Sequence, residues 1–496
     1  MESVTRKILI ISGLLILLSA VCWVIFIRGG NNDKYIWTNL VEVTDEGFSP
    51  PSLAILMGEK VEFVNNSLDD IWPASDFHPS HALYPDFDSG KAVLSGDSWS
   101  FQFNETGVWH FHDHLHPAHR GTVYVFSDRN TSIKKLTIED CSAHKSRFDV
   151  NTCLTLAIGD AIDKKGVKEG LRLFNKSIDV LSDCHDLAHR VGEAAYLAQQ
   201  QGEVMDYGEI TNLCNWGFWH GFSTEFIQNT EYSYDEIEKF CTDLTPYITS
   251  GAITNCYHGI GIGLVPDPPN PNIWGDLRSI TNLAVKNCDI LRSNEAHYSD
   301  CLSGAFHGMI DLIKDNLYGL KLNQEDPFEM CEMQDSDIKK SFCYSQAVQF
   351  SSLIANERVW DFINKFVIPN EFMKSIPDEE VGSYITLIFS GQINYRISNY
   401  LDLNPKSLID ICRNIPDSLQ THCIQGWARG FIITGDMKDR EYIKSGEICG
   451  FESLTPLEKK DCMDNLYSFL SSFYSEKEME VVCNDIKETT GQICGN

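Results

Sequence analysis

Between Cys22 and Cys141 this 496-residue chain has no cysteine, and none of its seventeen cysteines stands in a CxxC pair. The first absence excludes a thiolate-held metal in that stretch. The second counts against zinc ribbons, thioredoxin-type redox sites and c-type haem attachment. Positive charge is scarce as well. Forty basic against seventy acidic residues leave a net charge of −30, with no concentrated basic face to grip phosphates, so a nucleic-acid partner is excluded. The acidity reads as a solvated, self-repelling surface. No Ser/His/Asp order and no phosphate-binding loop stands out.

One long hydrophobic run is present. Residues 8–27, "ILIISGLLILLSAVCWVIFI", are just long enough to cross a bilayer as a helix. Arg6 and Lys7 precede it, which predicts a cytoplasmic residue 1–7 segment, a single transmembrane anchor and an exported remainder, extracellular or periplasmic. A cleaved signal peptide is the competing reading, but its apolar stretch usually runs for roughly 7–15 residues. "SAVC", ending at Cys22, has the outline of a lipoprotein cleavage site, yet Val21 is large and the apolar run continues past it. Sixteen cysteines remain, all between 141 and 494. An even number with no metal-type spacing predicts disulfides in an oxidising compartment.

The exported part changes character once. Over 35–127, "KVEFVN", "SWSFQF", "VWHFH" and "GTVYVFS" are short, β-branched and aromatic, separated by Gly, Pro, Asn and Asp clusters. From 141 to 496 the apolar spacing is helical, as in "CHDLAHRVGEAAYLAQQ". Residues 128–140 read as the linker. The fold class predicted is therefore multidomain: a transmembrane helix, an all-β sandwich, then an all-α domain of disulfide-stapled helical repeats.

The repeats are visible in the cysteines. Cys214, Cys256, Cys301, Cys343, Cys423 and Cys462 are spaced 42, 45, 42, 80 and 39 apart, with "VGSYITLIFSG" in the middle of the double interval. A period near forty with helical character means stacked helix pairs, as a solenoid or a closed toroid. Gly217, Gly259, Gly304 and Gly426 follow their cysteines by three residues, and Gly221, Gly263, Gly308 and Gly430 by seven. Small residues four apart share one helix face and let a neighbour approach closely. Partners lie 11 to 15 residues apart: Cys241 with Cys256, Cys288 with Cys301, Cys331 with Cys343, Cys412 with Cys423, Cys449 with Cys462, and Cys483 with Cys494. Each such staple contributes about 3 kcal/mol on the chain-entropy account. Cys141, Cys153, Cys184 and Cys214 are left over, and their connectivity stays open.

Five histidines crowd "WHFHDHLHPAHRG" at 109–121. With "FSPPSLAILMGEKVEFVNNS", "PASDFHPSHALYPDFD" and "LSGDSWSFQFNETGVWHFHDHLHPAHRGTVYV", this stretch resembles the cupredoxin family over most of residues 40–127. It is closest to the cupredoxin-like domains of exported bacterial proteins, and "WHFHDH" resembles the "WYHSH" of multicopper oxidases. The resemblance implies that the two histidine-bearing loops meet at one end of the barrel. Laying "HPAHRG" on the family's "HPxMxG" loop puts Asp113 at the cysteine position and His119 at the methionine position. A blue copper site needs His₂Cys, so blue copper is excluded and single-electron transfer is put in doubt.

An imidazole-rich site remains. His78, His81, His112 and His114 are the predicted metal ligands, with His116, His119 and Asp113 as additional candidates. Asp113, Asp76 and Asp86 could also orient the rings. His110 alternates with Trp109 and Phe111 and reads as an ordinary strand residue. Neutral imidazoles suit Cu(II), Zn(II) or Ni(II). The affinity order favours Cu(II), and Zn(II) is the alternative. In the helices, a stack of repeats would bring His185, His189, His220, His258 and His307 into a column, either a second site or ligand groove or a polar column satisfying helix ends.

Three functions are compatible with these readings. The first is a membrane-anchored, extracytoplasmic protein that binds or handles non-blue copper. The second is a copper-dependent oxidoreductase, disfavoured because one β-domain without a thiolate cannot collect electrons as a multicopper oxidase does. The third is a metal-free protein that recognises a protein or peptide partner on its helical repeats.

Overall fold

Period-two burial builds the first domain. Along Lys60–Asn65, Val61 and Phe63 point inward while Lys60 and Glu62 face solvent. The computed structural model describes residues 35–494 except 77–80, 82, 130–136, 143–146, 179–183, 203–208, 231, 245–251, 266–270, 315, 355–357, 395–402 and 433–436.

Eight strands make two four-stranded sheets. They are β1 (Leu40–Thr44), β2 (Gly47–Ser49), β3 (Ser52–Leu56), β4 (Lys60–Asn65), β5 (Pro73–Ser75), β6 (Ser98–Gln102), β7 (Gly107–Asp113) and β8 (His116–Phe126). The sheet orders are β2-β1-β4-β6 and β3-β8-β7-β5. β1 runs parallel to β4, pairing Val41 with Phe63, and β3 runs parallel to β8, pairing Leu53 with Val123. The core holds an aromatic group in which Phe111 meets Phe48 and Phe63 edge-on, at centroid distances of 4.7 and 5.3 Å. Gly121 is required beside it, because a Cβ there would lie 2.3 Å from the Phe111 ring.

The chain divides into two units, and the division does not follow the linker alone. Segments Ala74–Asp88 and His112–Ala118 belong with Lys134–Asn496, while Ser89–Phe111 and His119–Ile133 belong with the N-terminal segment ending at Pro73.

The second unit is an array of helices. Seven of its helices, His185–Gln200, Gly217–Asn229, Ala252–Gly263, Glu295–Lys314, Asp337–Ile354, Asp378–Asn394 and Asp417–Gly430, each pack on the next, with Arg147–Lys165 before them and Pro456–Leu470 and Glu476–Thr490 after. Shorter helices lie between them. Eight disulfides staple the array: Cys141–Cys153, Cys184–Cys214, Cys241–Cys256, Cys288–Cys301, Cys331–Cys343, Cys412–Cys423, Cys449–Cys462 and Cys483–Cys494. The repeated glycines sit at the helix contacts. A Cβ at Gly221 would come within 1.9 Å of the His189 carbonyl oxygen, and one at Gly304 within 1.9 Å of that of His258. Trp216 stacks on Phe473 at 4.5 Å, so the last repeats return to the first ones.

The fold class read from the sequence needs a correction. The structure has a β-sandwich followed by helices, but among the described residues no helix is long and apolar enough to cross a membrane. The longest, Glu295–Lys314, carries Glu295, Asp300, Asp311 and Lys314 and spends its apolar face on neighbouring helices. Residues 1–7 and the transmembrane anchor expected at 8–27 lie outside the described residues. The single-pass membrane localisation and the membrane partner expected from them are therefore withdrawn. The eight disulfides fit an oxidising environment.

Candidate metal centre

β7 ends at Asp113, and its last residues bring His112, and His114 just beyond, to a buried position. His81 arrives from the loop after β5, with a left-handed backbone (φ 50°) that an L residue adopts only when its surroundings fix it. Each of these three histidines is at most 2% exposed. Each offers one ring nitrogen, and the three nitrogens lie within 4.8 Å of one another. Ring centroids are 4.6 Å apart for His81 and His114, 5.4 Å for His81 and His112, and 6.1 Å for His112 and His114.

Carboxylates stand behind two of the rings. His81 Nδ1 is 2.8 Å from Asp88 Oδ2, and His112 Nδ1 is 3.1 Å from Asp76 Oδ1. A carboxylate accepts only, so both Nδ1 atoms carry the hydrogen and the lone pairs of His81 and His112 reside on Nε2. His81 Nε2 lies 2.8 Å from His114 Nδ1, and the opposite nitrogen of His114 meets the Tyr318 hydroxyl. These groups form a hydrogen-bonded chain in which Tyr318 donates to His114 Nε2, His114 Nδ1 donates to His81 Nε2, and His81 Nδ1 donates to Asp88. A cation held by the three rings would take the His114 Nδ1 lone pair in place of that hydrogen.

The other expected residues are placed differently. His78 lies outside the described residues. Asp113 is buried, but it accepts from Leu115 N at 3.1 Å and pairs with His116 Nδ1 at 2.8 Å, so it shapes the turn after β7. His119 belongs to the first unit, where its ring lies 3.3 Å from where a Gly47 Cβ would stand. His110 pairs with Thr122 Oγ1 at 3.0 Å, as a strand residue should. Asp86 is exposed; the carboxylate behind His81 is Asp88, two residues on. Tyr318 stands 204 residues from His114 in sequence and carries no motif that could have announced it.

Neither family models nor curated proteins give a match to this chain. Among solved structures it is similar to one described as a novel purple cupredoxin from Nitrosopumilus maritimus, at 21% identity and a TM-score of 0.15, covering 18% of this chain and 98% of that one.

Proposed function

We propose that His81, His112 and His114 bind one copper ion without sulfur, and that the protein captures or handles copper in an oxidising compartment. The supporting observation is the pair of carboxylates. Asp88 and Asp76 fix the tautomers of His81 and His112, as outer partners of metal-bound imidazoles commonly do. Nε2 of His81, Nε2 of His112 and Nδ1 of His114 are then the ligand atoms. Cu(II) is the ion of choice because neutral imidazoles favour it over Zn(II) in the affinity order. The two anionic partners strengthen that preference by making the rings more basic.

The test is copper content after loading and gel filtration, on the chain as it stands and on His112→Ala/His114→Ala. The unaltered chain retains one copper that the double variant lacks, and the retained copper shows only weak visible bands. An intense charge-transfer colour, or equal copper in both proteins, contradicts the reading.

A further inference from the structure

A second group of imidazoles lies in the helical array. His185 and His189 are one turn apart on the His185–Gln200 helix, and His220, His258 and His307 each come from one of the next three long helices. The contacts that place them are backbone contacts. Besides the glycines opposite His189 and His258, Gly259 faces His220, where a Cβ would be 2.8 Å from the carbonyl oxygen. Helices that touch through glycine bring the side chains beside the contact to ligand distance.

The tautomers are again fixed from behind. His185 Nδ1 donates to the Cys214 carbonyl at 2.8 Å, leaving its lone pair on Nε2. His220 Nε2 donates to Asn255 Oδ1 at 2.9 Å, leaving its lone pair on Nδ1. His185 Nε2 and His220 Nδ1 both approach the same atom, His189 Nε2, at 3.1 and 3.2 Å. One hydrogen on His189 cannot serve two lone pairs equally, whereas a cation serves all three nitrogens.

The carbonyl behind His185 sits on a costly turn. Cys214, Asn215 and Trp216 are all left-handed (φ 58°, 52° and 56°), a conformation that costs roughly 1–2 kcal/mol for each L residue. Such strain survives only where surroundings over-determine it, and it concentrates at functional sites.

The spacing selects the ion. Four imidazoles around a tetrahedral cation at about 2.0–2.1 Å from nitrogen have ring centroids roughly 5 Å apart. The observed separations are 4.7 Å for His185 and His189, 5.1 Å for His189 and His220, and 5.2 Å for His185 and His220. His307 stands farther off, 6.2, 6.2 and 6.3 Å from the three rings, with Nδ1 2.9 Å from His258 Nε2 and Nε2 3.7 Å from Asp311 Oδ2. His185 and His189 are only part-buried, which leaves a route for an ion to enter.

We infer that His185 Nε2, His189 Nε2 and His220 Nδ1 bind a divalent cation of the zinc type as three of its four tetrahedral ligands. The site is separate from the His81–His112–His114 centre. The experiment strips the full chain with a chelator, dialyses it against Zn(II) and counts zinc per chain. His112→Ala/His114→Ala protein retains one zinc, and adding His185→Asn/His189→Asn removes it. No zinc in the first variant, or zinc persisting in the second, overturns the inference. Failure of the copper proposal looks different, because the His112→Ala/His114→Ala change would then remove nothing. If the fourfold variant does not fold, Co(II) titration of the His112→Ala/His114→Ala chain decides. Strong visible bands of tetrahedral cobalt at one equivalent support the site; a weak octahedral spectrum overturns it.

Discussion

The two histidine clusters use the same side chain on different scaffolds and with different partners behind it. At the end of β7, a strand turn and a distant loop bring three rings together, with carboxylates behind two of them. In the array, glycine contacts between successive helices bring five rings together, with a peptide carbonyl and an amide oxygen behind two of them. A carboxylate raises the basicity of the imidazole it holds, whereas a neutral oxygen mainly orients it. On the proposed function, the first cluster would therefore hold its copper ion through strongly basic rings. The second is organised by geometry, and its selectivity rests on tetrahedral spacing.

Replacing the orienting carboxylates breaks the comparison most strongly. Asp88→Asn and Asp76→Asn are each expected to weaken copper binding by about 10- to 100-fold, the usual cost of losing such a partner, and to leave zinc at the helical cluster unchanged. Competition with a chelator of known affinity measures this. Next in size is Gly221→Ala. Its Cβ would meet the His189 carbonyl oxygen at 1.9 Å, so the two helices must separate, at an expected cost of about 1–3 kcal/mol. A lowered thermal midpoint with zinc lost and copper retained is the expected pattern. A third change sharpens the contrast between the partners. Asn255→Ala removes a neutral orienting group and is expected to weaken zinc binding by about tenfold, at the low end of the range for outer partners.

The smallest effect is one of pH, at a carboxyl that neither cluster uses as a ligand. Burial raises the Asp300 carboxyl to about 6. Its folded pKa lies above its unfolded value, so the stability it contributes is full below about pH 4 and is lost as the pH rises towards 6. Asp300→Asn removes that dependence. The variant is expected to gain on the unaltered chain between pH 4 and 6 and to hold a constant lead above, as read by urea midpoints across the series.

Much of the sandwich was legible because alternation and turn residues are local signals. "KVEFVN" coincides with β4, and "VWHFH" falls within β7. The cysteine period and the glycines after it gave the helical array, because each repeat has to bury the same face against its neighbour. The outer partners were less legible. In "YPDFDSG" two carboxylates compete, and only the folded loop shows that Asp88 is the one beside His81. Tyr318 reaches His114 across 204 residues of sequence, a distance at which no spacing rule operates. The apolar run at 8–27 lies outside the described residues, and among those described no helix is long and apolar enough to cross a membrane.

The most direct test of the copper centre is electron paramagnetic resonance on the chain loaded with one equivalent of Cu(II). Three imidazoles and no sulfur predict an axial spectrum with a large parallel copper hyperfine splitting and superhyperfine lines from nitrogen, all lost in His112→Ala/His114→Ala. A small parallel splitting of the thiolate type, or an identical spectrum from the double variant, would contradict the account.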